Sequence, residues 1–305
     1  MKNNKWAVFL AFTAIYIVWG STYLAIFVAV KDFPPFLMTA LRFLLAGSLL
    51  FTWCLWRKEP MPSALSVGKN AIYGILMLFG GIGSVSWAEQ YLPSSLAAII
   101  VTAVPFWFIL LDKKQWSLYF SNKMIIAGLL LGFAGVIILV SFQHVSQVKS
   151  VTTREQIMGS LFILAGGISW TIGSLYSKYR PAGSSLLMNG SIQLLATGLF
   201  TFLVSTGSGE TSHFSFALVS TKAWLALLYL VTMGSVVTYI SYLYLLKVRP
   251  AVQVSTYVYV NPVVALLLGT VFMHDAVSWL QVLALLIILA GVLLVNMPKY
   301  KKETV

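Results

Sequence analysis

Two ionisable side chains stand inside long apolar stretches of this chain, and their types suit them to chemistry: Arg42 in "MTALRFLLAG" and Glu89 in "WAEQYLPS". A buried guanidinium presents a rigid donor fork that matches a carboxylate or phosphate. Arg42 follows the Pro34–Pro35 helix start by about 10–12 Å at 1.5 Å per residue. At that depth a lipid-facing arginine costs about 2.5–3.5 kcal/mol, so it is expected to face the protein interior or a wet cavity. Two roles stay open for it: attracting an anionic solute, or capping carbonyls and pinning its helix to a neighbour. Glu89 carries three readings: a pair with Arg42, a protonatable coupling group, or an interfacial acid wetted from outside. Asp112 and Asp275 sit at helix ends among loop charges and are expected to be solvated.

Aromatic and hydroxyl side chains form a second set. Trp19 and Tyr23, Trp170, Tyr239 and Tyr242, and Tyr257 with Asn261 are candidates for a binding or gating surface, because ligand cavities combine apolar and aromatic walls with a few oriented polar groups. The bland alternative is packing: Trp and Tyr belong at membrane interfaces, and small polar residues pack between helices. Asn261 precedes Pro262, which removes a backbone donor and leaves a carbonyl one turn back unpartnered. Pro105 and Pro262 are expected to kink their helices, while Pro93 and Pro250 mark tight hairpins. No His/Cys/Asp/Glu spacing for a metal is visible, His144, His213 and His274 lie far apart, and no cofactor motif occurs. The glycines of Gly128 and Gly132 have the small-xxx-small spacing of close helix packing.

The elements that hold these residues follow from composition. Of 305 residues 59% are hydrophobic and only 9% charged, with a mean hydropathy of +0.88. Soluble domains carry about 25% charged residues, so the solvent here is lipid. A net charge of +12 would suggest nucleic acid in a soluble protein, but the basic residues cluster between apolar runs as loop charges do, which excludes that partner. Ten runs reach the ~20 residues needed to span a bilayer: Trp6–Val28, Phe36–Trp56, Ala71–Tyr91, Pro93–Leu111, Met124–Phe142, Ile157–Tyr176, Ser185–Val204, Trp224–Leu246, Ala251–Met273 and Val277–Met297. The fold class expected is therefore an all-α integral membrane protein of ten transmembrane helices. With the amino terminus inside, loop Lys and Arg divide fifteen inside against four outside, which puts both termini in the cytoplasm.

The chain also repeats itself. Pro93 and Pro105 match Pro250 and Pro262 at one offset; "WGSTY" at Trp19–Tyr23 has a counterpart in "GSLY" at Gly173–Tyr176. "MTALRFLLAG" at Met38–Gly47 resembles "MNGSIQLLATG" at Met188–Gly198, which sets Arg42 against Ile192, beside Gln193. Gly132–Val140 resembles Ile287–Val295. Five spans per unit invert the second unit, giving domains 6–142 and 157–297, and such repeats place a substrate site near the midplane.

In "YIVWGSTYLAI", "FPPFLMTALRFLLAG", "AEQYLPSSLAAIIVTAVPFW" and "SYLYLLKVRPAVQVSTYVYVNPVVALLLG" the chain resembles the drug/metabolite transporter superfamily, specifically a ten-helix EamA-type permease, over about 6–297. That resemblance implies two repeats around a central cavity, alternating access, a small-molecule substrate among amino acids, related metabolites or drugs, export, and a place in the plasma membrane. A homodimer is compatible with it. The rival readings are a non-transport membrane scaffold or receptor, against which the short loops speak, and an intramembrane enzyme, for which no catalytic motif is present.

Overall fold

A computed structural model describes residues 5–88, 91–92, 97, 100–141, 152–212, 214–273 and 278–297. Among the described residues every regular element is helical. The long elements are α1 (residues 5–29), α2 (Pro35–Trp56), α3 (Ala64–Ala88), α4 (Val104–Leu111), α5 (Lys123–Ser141), α6 (Thr153–Tyr179), α7 (Leu186–Gly207), α8 (Thr221–Val248), α9 (residues 251–273) and α10 (Trp279–Asn296). Among the described residues eight helices are long and apolar enough to cross a membrane; a ninth is reached if Lys113–Ser121 and the 92°-bent continuation Lys123–Leu139 are one span. The fourth expected span is represented only by α4 and isolated residues before it, since Pro93 and its neighbours lie outside the described residues. Large apolar side chains such as Trp6, Leu10, Leu203 and Leu225 point outward, the arrangement of a chain whose solvent is lipid.

Polar caps start several helices earlier than the apolar runs suggest. Ser63 accepts from the Ser66 N–H at the head of α3, Thr152 forms a capping box with Glu155 at α6, and Ser220 accepts from the Ala223 N–H at α8. The apolar run marks the stretch in lipid, whereas the cap marks where the backbone begins to turn. Ser220 is itself held across the loop: Asp32 Oδ2 accepts from its backbone N–H at 2.9 Å and its Oγ at 2.5 Å. These two bonds, the side-chain one first, hold the exposed Asp32 carboxyl below the ordinary value of 3.8. A depressed carboxyl favours the fold above the unfolded pKa, and the benefit is lost as pH falls through the folded one. Asp32→Asn is therefore expected to melt below the parent at pH 7, with the gap closing as pH falls through the depressed carboxyl pKa; thermal melts in detergent across an acid pH series check it.

Two antiparallel helix pairs share the most extensive contacts among the described residues. Along α2 and α7, a Cβ on Gly47 would meet Leu195 N at 2.8 Å, and one on Gly198 would meet Leu44 N at 2.8 Å. The contacts are reciprocal. At their ends Glu59, just past α2, accepts from Ser185 Oγ at the head of α7, while Glu210, just past α7, accepts from the Phe36 and Leu37 N–H groups at the head of α2 (3.2 and 2.9 Å). A carboxylate at a helix N-terminus satisfies orphan donors and meets the positive end of the dipole. Leu44, Gly47 and Glu59 thus match Leu195, Gly198 and Glu210 at a single offset, and that offset carries Arg42 onto Gln193. This corrects the pairing with Ile192: in the gapless register the extra residue of the second stretch is Met188, at its start, so Met38 falls on Asn189 and Arg42 on Gln193. Along α5 and α10, Gly128 and Gly291 approach backbone to backbone.

Among the described residues three helices contain π-helical stretches: Ala14–Val18 in α1, Ile75–Gly83 in α3 and Leu230–Val237 in α8. The wider turn shifts side-chain phase and loosens carbonyls, a device often found at working sites. Pro262 lies within the helix Tyr257–Met273, and the break in α9 falls earlier, at Thr256, whose Oγ1 lies 2.7 Å from Tyr16 Oη. Pro105 does not kink a continuous helix. It occupies the first turn of α4 after a turn at 102–103, where its missing N–H has no cost.

Candidate functional site

A cavity of about 600 Å³ lies in the half of the molecule next to the α1–α2 turn. Its walls come from the second half of α1, the early part of α2, the end of α3, α4, α6 and α9. Trp19, Tyr23, Arg42, Trp170, Tyr257 and Asn261 all border it. The chain separates these residues widely, and contacts to the π stretches hold two of them, Trp19 and Arg42. Trp19 follows the π segment of α1, and its Nε1 donates to the Gly234 carbonyl (3.0 Å) inside the π segment of α8. The next residue of that segment, Ser235, accepts from Arg42 Nε at 2.8 Å. Gly234 leaves room for the guanidinium: a Cβ there would stand 3.0 Å from Nη2.

The floor is aromatic. Trp19 packs on Tyr257 at 4.7 Å, on Tyr242 at 5.4 Å and on Trp170 at 5.8 Å between ring centroids. Trp170 Nε1 donates to Tyr242 Oη (2.8 Å), which also lies 2.7 Å from Ser174 Oγ. Edge and tilted contacts of this kind add to plain burial and fix ring positions. Asn261 is satisfied when its amide is set with Nδ2 donating to the Tyr16 and Tyr257 carbonyls, at 3.3 and 3.0 Å. Tyr242 and Tyr239 are fully buried beneath the floor and do not border the cavity, contrary to their expected place on its wall. Glu89 lies outside the described residues, so its pairing with Arg42 is not part of this geometry.

Below the floor, a chain of side-chain hydrogen bonds ties α8, α7 and α3. Tyr239 Oη donates to Gln193 Oε1 (2.6 Å), Gln193 Nε2 to Asn70 Oδ1 (2.8 Å), and Asn70 Nδ2 to Asn189 Oδ1 (2.8 Å). Asn189 Nδ2 continues to the Ser184 carbonyl at 3.1 Å. Asn70, Gln193 and Tyr239 are each 1% exposed, while Asn189 at the far end is partly buried, and the network bridges the helices of the half bearing the α2–α3 loop. Sequence reasoning passed over Asn70 and Asn189; the signal available was a carboxamide inside one apolar run and another at the edge of a second, where an unpaired amide is costly. Asp112, expected in solvent, is 1% exposed and accepts from Tyr119 Oη (2.7 Å) and Tyr179 Oη (2.8 Å). The two phenols come from flanking helices that fold over the end of α4, a contact invisible in a local reading. Asp275 lies outside the described residues.

The sequence matches the model of the EamA-like transporter family twice, at residues 5–141 and 157–297. It is 38% identical over 293 residues to the uncharacterized inner membrane transporter YedA of Escherichia coli strain K12, spanning 95% of this chain and 90% of that one. A probable amino-acid metabolite efflux pump of Salmonella typhimurium is 25% identical over 93% of this chain and 92% of its own. A solved crystal structure superposes with a TM-score of 0.77 at 22% identity, covering 97% of this chain and 98% of the other, a likeness in fold. A multi-pass membrane bundle with an internal cavity, matched to this family along both halves, is a transporter of small molecules rather than an enzyme: the chain belongs to the EamA-like transporter family.

Proposed function

We propose that this protein is a secondary transporter that exports small metabolites by alternating access through the cavity between two inverted five-helix repeats, 6–142 and 157–297. In this reading ten helices span the plasma membrane and both termini are cytoplasmic, in line with the loop charges. The observation that carries the proposal is the one-sidedness of the interior. One half holds an open cavity beside Arg42, and the other is shut by the Tyr239–Gln193–Asn70–Asn189 chain.

The repeat gives that asymmetry a meaning. Gln193 corresponds to Arg42, and, at the offset of Pro93 with Pro250, Tyr239 corresponds to Ile82. Gln193 and Tyr239 touch, whereas Arg42 and Ile82 both border the cavity. The same joint thus occurs closed in one half and open in the other, as inverted repeats in alternating access require. The reciprocal contacts of α2 with α7 and the family match to both halves support the same view. Export is favoured by the efflux pump among the relatives.

Overexpression is expected to raise resistance of cells to toxic analogues among amino acids, related metabolites or drugs, and to lower their intracellular content. Proteoliposomes with the purified protein should show counterflow of the same solutes. No counterflow across a broad panel, with the protein correctly inserted, would remove the transport mechanism proposed here.

A further inference from the structure

We propose that the cavity selects solutes bearing a single carboxylate on an apolar or aromatic body, with Arg42 holding the carboxylate. This rests on the transport reading above and names its substrate chemistry. The Arg42 side chain is only 2% exposed, yet it borders the cavity. Its one hydrogen bond among the described residues is from Nε to Ser235, which leaves the Nη1 and Nη2 donors without a protein acceptor there. Nor does any described carboxylate lie within ion-pair distance. Ser235 and the Phe43 ring, 5.4 Å from Cζ, hold the guanidinium in place. A buried cation lacking an internal anion is completed by one that arrives with the ligand, and the pair of Nη donors fits a carboxylate side-on.

The rest of the cavity narrows the choice. No acidic side chain is among its described lining, where the charged group is the Arg42 cation. One guanidinium cannot neutralise a dianion, and the remaining wall is largely apolar, which disfavours phosphates. The aromatic floor of Trp19, Trp170 and Tyr257 offers flat faces to an apolar body. With Asn261 Nδ2 engaged on two carbonyls, its Oδ1 remains an acceptor, so an amino group is accommodated without being required.

The test is titration calorimetry of the purified full chain in detergent with 3-phenylpropanoate, its neutral amide and 2-phenylethylamine. The acid is expected to bind at least tenfold tighter than either relative. Arg42→Gln should abolish that preference, and Arg42→Lys should restore part of it. Ser235→Ala keeps the charge but frees Nε, and should weaken the acid only a few-fold. The comparison of three ligands on the parent protein holds even if an Arg42 variant fails to fold. Equal binding of acid and amide, parental acid binding by Arg42→Gln, or no binding of any of the three would each overturn the assignment. Counterflow in proteoliposomes separates the two readings. Movement of acid and amide alike removes the anion site and leaves transport, whereas binding of the acid without movement of any solute leaves the site and removes transport.

Discussion

Gln193→Leu is expected to unlock the half of the protein that the amide chain bridges. The substitution keeps side-chain volume and helix propensity but strands two buried partners at once, the Tyr239 hydroxyl and the Asn70 carbonyl oxygen. Each stranded polar group costs about 1–3 kcal/mol, so a loss on the order of 2–5 kcal/mol is expected for this conformation. In the alternating-access mechanism proposed above, that loss falls on the closed state alone, because water reaches the same groups once the half opens. Hydrogen exchange should therefore rise at least tenfold in the first turns of α3 and α7 while the core of α5 and α10 stays protected. Tyr239→Phe removes one bond and leaves Gln193 with its Asn70 contact, so about 1 kcal/mol is expected. Adding it to Gln193→Leu should change little, since the two share one interaction. Parental exchange in Gln193→Leu would mean that the amide chain does not hold this half shut.

The second large effect is steric. A Cβ on Gly291 would stand 2.6 Å from both the Gly128 carbonyl oxygen and the Gly132 nitrogen, atoms of main chain that cannot swing aside. Without a hydrophobic force between helices in lipid, association depends on such close approach. Gly291→Leu is expected to separate α5 from α10 at a cost of about 3 kcal/mol or more, at the upper end for overpacking. Folded yield and melting temperature in detergent give the readout. Gly68, in α3, is the control, because nothing lies within 4 Å of its added Cβ. Gly68→Ala should be neutral or stabilise by about 0.5–1 kcal/mol through helix propensity. If both variants behaved alike, the α5–α10 contact would not depend on glycine.

Much of the interior was legible before any helix was packed. Arg42 stood out because a charge deep in an apolar run needs a reason, and the structure places it beside the cavity with its fork unfilled on the described side. Trp19, Trp170, Tyr257 and Asn261 were legible as a class, yet not separable from Tyr239 and Tyr242, which lie under the floor. Aromatic residues look alike along a sequence whether they face a cavity or a neighbouring helix. Asp112 misled because loop charges flank it, and only the fold supplies its two phenol partners.

What the sequence by itself determined was the solvent, the helical class, the charge asymmetry of the loops and the doubled pattern of prolines. Each depends on composition or on spacing within a few turns, and hydrophobic spans need no partner to be read. What only the tertiary structure decided was which polar groups meet. Gln193 and Asn70 are 123 residues apart, and their bond exists because α7 and α3 begin on the same side of the bundle. The π stretches beside Trp19 and around Ser235 were equally unreadable, since local propensity does not separate a π turn from an α turn. The anion-binding character of Arg42 sits between the two: its charge was plain in the sequence, and its lack of a described acidic neighbour emerged only from packing.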